Sequence, residues 1–135
     1  MSKYNFSAFA TGLNADKVPS MWVEGNTVHF RVFGKEFTEE DWFGAMELYE
    51  LNTISLLLTD SYVFGEGYKP IHLKNGLTFC MVYNAHAYVE GRFTNNDVET
   101  LELTEFVKFL PSNSRDVLFD IINKYIREGI EREVD

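Results

Sequence analysis

Residues 71–93 read IHLKNGLTFCMVYNAHAYVEGRF, and their reading decides the fold. Asn75-Gly76 is the strongest local signal, because this pair tolerates the positive φ angles of a type I′ turn, whose twist matches flanking strands. Residues 71–74 are therefore expected to pair with residues 77–83. In the latter, Leu77, Phe79, Met81 and Tyr83 fall on one face and Thr78, Cys80 and Val82 on the other. A strand apolar on both sides predicts a central position, covered on both faces. Asn84-Ala85 makes a short reversal. His86, Tyr88, Glu90 and Arg92 then alternate with Ala87, Val89, Gly91 and Phe93. That pattern predicts a third strand whose polar face points outward or lines a cleft.

Upstream, Gly25-Asn26 separates residues 21–24 from 27–33 and predicts a second hairpin, which Gly34 ends. Thr38, with Asp41 three residues on, has the form of a capping box and opens a helix. Glu39, Glu40 and Asp41 suit the positive end of its dipole. Trp42, Ala45, Met46 and Tyr49 gather on one face of that helix, and Asn52 breaks it. Residues 53–64 are rich in β-branched and large apolar side chains and predict one strand or two short ones.

Downstream, residues 98–103 predict a short strand, and residues 104–110 one or two helical turns ended by Pro111. Ser112-Asn113-Ser114 caps a last helix. On it Leu118, Ile121, Ile122, Tyr125, Ile126 and Ile130 recur at helical spacing. Residues 1–20 permit an edge strand through Tyr4, Phe6, Ala8 and Ala10. The expectation is one α+β domain over residues 1–135. It has a mostly antiparallel sheet of five or six strands and two main helices, one after the first hairpin and one C-terminal across a face of the sheet.

A chain of 135 residues, 45% hydrophobic and 16% aromatic, is long and apolar enough to bury a real core. No apolar run approaches the roughly 20 residues of a membrane helix. The first residues lack the basic-then-apolar pattern of a secretory leader. One cysteine, Cys80, excludes an intramolecular disulfide and a multi-cysteine zinc site. A reducing, cytoplasmic setting is expected. The net charge of −9 is spread along the chain with no acidic tail. Such a surface disfavours direct contact with nucleic acid or anionic membrane and favours a basic protein partner.

The phosphate-binding, nucleophile-elbow and zinc-helix motifs are absent. Gly65-Glu66-Gly67 starts like a dinucleotide loop, but Tyr68-Lys69-Pro70 follows instead of a helix. No cofactor or metal is expected, and Cys80, flanked by Phe79 and Met81, reads as a buried core thiol. Two groups of residues carry the functional expectations. The first is the acidic set Glu36, Glu39, Glu40, Asp41, Glu47 and Glu50, joined by Asp97, Glu99, Glu102 and Glu105. Carboxylates in a row spaced like backbone phosphates would compete for a basic nucleic-acid groove. The second is His86, Tyr88 and Glu90, a row that suits a general base with a proton-relaying neighbour, or part of a metal site.

The leading expectation is therefore a small non-enzymatic interaction protein that binds and inhibits a basic partner. Its sharpest form is a nucleic-acid mimic of the kind mobile elements use against host enzymes. The alternatives are a small-ligand or nucleotide binder or hydrolase with a cleft near His86, Tyr88 and Glu90, and a structural subunit that oligomerises through an exposed sheet edge.

Overall fold

Positive-φ turns set the first sheet. Gly25, at φ +65°, lets β1 (Ser20–Glu24) reverse into β2 (Thr27–Val32), with Glu24 opposite Thr27. Phe33 and Gly34, at φ 53° and 72°, then reverse β2 into β3 (Lys35–Thr38). This computed structural model describes residues 19–59, 61–65, 70–83, 85–95 and 99–134, the side chains of residues 133 and 134 excepted. The edge strand expected at Tyr4–Ala10 lies outside that range. The first hairpin ends at the Phe33-Gly34 turn, and β3 adds a third strand that the sequence did not announce. A bulky Phe at positive φ carries no turn signature, and only Phe37 of β3 is buried.

Thr38 caps α1 (Glu39–Trp42) as expected. Its hydroxyl accepts from Asp41 N–H at 3.2 Å, and its own N–H donates to Asp41 Oδ2 at 2.9 Å. The helix lasts about one turn, however. A 3-10 turn over Phe43–Ala45 follows, Met46 is extended, and Glu47 starts α2 (Leu48–Leu57) with a second capping box. There Glu47 N–H donates to Glu50 Oε1 at 2.9 Å. The single amphipathic helix through Tyr49 is thus two helices, and Tyr49 is 47% exposed. The strand expected over residues 53–64 is corrected as well, since residues 53–57 complete α2. Leu51, Ile54 and Leu58 are buried at helical spacing, and the Thr53 hydroxyl donates to the Tyr49 carbonyl at 2.7 Å. Strand preference reflects packing on a pleated surface, and burial on the helical period overrides it here.

The second sheet has the order β4 (Ile71–His72), β5 (Leu77–Tyr83), β6 (Val89–Asn95), β7 (Glu99–Glu102), all antiparallel. Asn75 and Gly76 take φ 56° and 82°, and Leu77 N–H donates to the Lys74 carbonyl at 2.9 Å. The class is α+β and antiparallel, but among the described residues the expected single sheet is corrected to two, of three and four strands. Coverage of β5 on both faces is also corrected. Leu77, Phe79 and Met81 are buried, whereas Thr78, Cys80 and Val82 stand half-exposed.

β7 runs into α3 (Leu103–Lys108), and after Pro111 the chain enters α4 (Ser114–Val134). The expected stripe of α4 is buried at Leu118, Ile121, Ile122 and Tyr125, and ends before Ile130, which is 49% exposed. Both sheets meet at Trp42. Its ring lies 5.2 Å from Phe30, 5.8 Å from Phe37, 5.2 Å from Phe79, 5.1 Å from Phe93 and 5.8 Å from Phe106. Among the described residues its buried Nε1 has no acceptor, and packing against these rings holds the indole. Each such aromatic pair contributes roughly 0.5–1.5 kcal/mol beyond its buried area.

Candidate functional site

The groove of interest forms where the edge of β6 changes neighbours. Val89 N–H donates to the Val63 carbonyl at 2.7 Å, and Phe64 bridges Tyr88. Residues 63 and 64 therefore lie along the edge that β7 takes over from Arg92, which faces Glu102. Between these two borders, at Glu90 and Gly91, the edge opens into a groove of about 540 Å³. Tyr62, Tyr88, Glu90, Glu102 and Thr104 are among its lining residues. Gly91 is required at its floor, because a Cβ there would lie 2.9 Å from Phe79 Cζ and 3.2 Å from Leu103 Cβ.

Three rings form a ledge on one side of this groove. Tyr88 lies between Tyr62 and Phe64, with centroids at 5.0 and 4.6 Å. Tyr62 is 82% exposed and Phe64 67%. His86 stands beside Tyr88 at 6.3 Å but sits in the turn before β6, so the regular strand row His86, Tyr88, Glu90 is corrected to a pair, Tyr88 and Glu90, with a flanking turn histidine. Arg92 bonds Glu102 Oε1 through Nε and Nη2, both at 3.1 Å, and approaches Glu90 only at 3.9 Å. Sequence reasoning missed Tyr62, Phe64 and, in this role, Glu102. The alternation of Tyr62 and Phe64 was visible, but its pairing with Tyr88 was not.

The acidic set divides. Glu36, Glu40 and Glu47 are exposed and Asp41 half-exposed, but Glu39 and Glu50 are buried. Glu39 is a structural tie. Its Oε2 accepts from Val28 N–H at 3.0 Å, and its Oε1 accepts from Lys124 Nζ at 2.6 Å and the Tyr125 hydroxyl at 3.3 Å. The Tyr125 proton is shared with Glu40 Oε2 at 3.2 Å. Burial, then the charges of Glu39 and Glu40 and the hydrogen bonds to them, raises the Tyr125 phenol far above its ordinary range. Glu50 closes the α2 capping box, and its Oε2 has no hydrogen-bond partner among the described residues.

The exposed members do not continue into the second acidic segment. Asp41 lies 3.4 Å from Lys74 beside β4, whereas Glu99 and Glu102 belong to β7 at the other edge of the sheet. Three strand spacings put these edges roughly 14 Å apart. Glu99 and Glu105 are engaged by Asn95 and Lys108, and Asp97 lies outside the described residues.

Among the described residues, no cluster of three or more His, Cys, Asp and Glu side chains is placed to hold a metal ion, and no helix is long and apolar enough to cross a membrane. Cys80 is half-exposed on the open face of β5 instead of being buried in the core. Compared with protein-family models, curated proteins and solved structures, the chain matches none of them.

Proposed function

We propose that this chain is a non-enzymatic interaction protein that binds and occludes a basic protein partner. The observation that supports the reading is the surplus of surface carboxylate. Acidic residues number 21 against 12 basic ones, and the Lys124 cation is turned inward onto buried Glu39. Among the described residues no ion pair engages Glu40, Glu47, Asp116, Asp120 or Glu131. Complementary charge steers association and makes it fast and salt-sensitive. A partner whose basic groove ordinarily takes nucleic acid fits this description, with the exposed carboxylates standing in for phosphates.

The test is a pull-down from native lysate at low and high salt, using the wild type and the double variant Glu40→Lys/Glu47→Lys. The reading expects one basic protein, held at low salt, released at high salt and lost with the variant. Glu47→Lys also removes the α2 cap, worth about 1 kcal/mol, so circular dichroism must show the variant folded. Retention unchanged by charge reversal in a folded variant overturns the reading.

A second reading, a small-ligand cleft, draws on Tyr88 and Glu90 lining the groove. It expects a neutral or cationic metabolite to raise the melting temperature of the wild type and not of Tyr88→Ala.

A further inference from the structure

We infer that the groove beside Tyr62, Tyr88 and Glu90 takes an arginine side chain from an extended basic segment of the partner. This inference rests on the reading of the chain as a binder of basic protein, and it names the point of contact. Tyr62 and Phe64 pack against Tyr88 as tilted rings, yet both are largely exposed to solvent. A supported, exposed cluster of aromatic rings is the composition of an interface core, not of an ordinary surface.

The groove is also charged in one sense. Among the described residues Glu90 and Glu102 are the charged side chains that line it, and no lysine or arginine does. Arg92, two residues along the same strand, engages Glu102 with two short bonds and leaves Glu90 at 3.9 Å, so Glu90 keeps acceptor capacity. An anionic ligand is repelled here, and a purely apolar one leaves the Glu90 carboxylate to be desolvated without a partner.

Arginine fits better than lysine. A planar guanidinium stacks on an aromatic face and still presents its edge to a carboxylate, which a compact ammonium does poorly. The chain makes the same arrangement for itself on the first sheet. The Arg31 guanidinium lies 5.1 Å over the Trp22 ring while its Nη2 reaches Glu36 Oε1 at 3.4 Å. The groove offers a ring and a carboxylate of the same kind to an incoming arginine.

The probe is an acetylated, amidated hexa-arginine peptide, with hexa-lysine as comparator, titrated calorimetrically into the full chain at low salt. Hexa-arginine is expected to bind more tightly than hexa-lysine. Tyr62→Ala and Glu90→Gln each weaken hexa-arginine about fivefold, the effect of one stacked cation or one partly exposed ion pair. Both substitutions are at solvent-facing positions, and thermal melts confirm that the variants fold. Hexa-arginine that binds the wild type and both variants equally overturns the groove assignment and leaves the basic-partner reading standing. A wild type that binds neither peptide overturns the inference through the reading on which it rests.

Discussion

Replacing Glu39 by Gln tests the tie that joins the first sheet to the last helix. Three donors converge on this buried carboxylate: Val28 N–H, Lys124 Nζ and the Tyr125 hydroxyl. The amide of Gln offers one acceptor oxygen and turns an NH2 group toward the remaining donors. Val28 is fully buried, so its N–H cannot turn to water, and orphaning it costs about 1–3 kcal/mol. The Lys124 side chain is 31% exposed, so its ammonium recovers part of its hydration, and the full 3–5 kcal/mol for breaking a buried pair is an upper bound. The expected loss for Glu39→Gln is about 3 kcal/mol, or a melting temperature lower by roughly 10 °C in a chain of this size. Urea unfolding of Glu39→Gln, Lys124→Met and the double variant measures it. Lys124→Met strands the carboxylate, so adding Glu39→Gln to it should restore part of the lost stability. A Glu39→Gln protein within about 0.5 kcal/mol of wild type, or strictly additive singles, would refute the reasoning.

Two further outcomes follow from the same geometry. The folded chain holds the Tyr125 proton more tightly than the unfolded chain, whose phenol titrates near about pH 10. The stabilisation from this group is therefore complete below about pH 10 and declines above it, so the urea midpoints of wild type and Tyr125→Phe should converge as pH rises past that point. A difference that stays constant across the alkaline range would contradict the assignment. Gly91→Ala should destabilise by about 1–3 kcal/mol, since its Cβ meets the Phe79 ring and the Leu103 Cβ at the root of α3. A thermal melt identical to wild type would mean that the floor of the groove yields.

What the sequence revealed is what local chemistry decides. Asn75-Gly76, the Thr38–Asp41 box and the stripe on α4 are each specified within a few residues, and each appears where its own residues place it. What it hid depends on distant partners. β3 follows a turn whose first residue is Phe33, and its one buried side chain, Phe37, stacks on Phe30 of the neighbouring strand at 5.3 Å. Residues 53–57 carry strand-forming side chains, but Ile54 and Leu58 find their burial on a helix. Tyr88 and Glu90 were legible as one face of a strand, whereas Tyr62 and Phe64 join them only through pairing across the fold. Glu39 in the first turn of a helix reads as a solvated carboxylate, because acidic residues there suit the dipole in water. The lysine that makes its burial tolerable comes 85 residues later.

That separation has a consequence for synthesis. Hairpins close within microseconds, so the first sheet forms soon after it leaves the ribosome. It cannot seal over Glu39 at that stage, because burying the carboxylate without its cation costs several kcal/mol. Final closure of the core around Trp42 waits until Lys124 has emerged with the helix that carries it. A nascent chain stalled before that residue presents its phenylalanines and Trp42 to chaperones and proteases, and quality control meets this protein as an open aromatic surface until the last helix has been made.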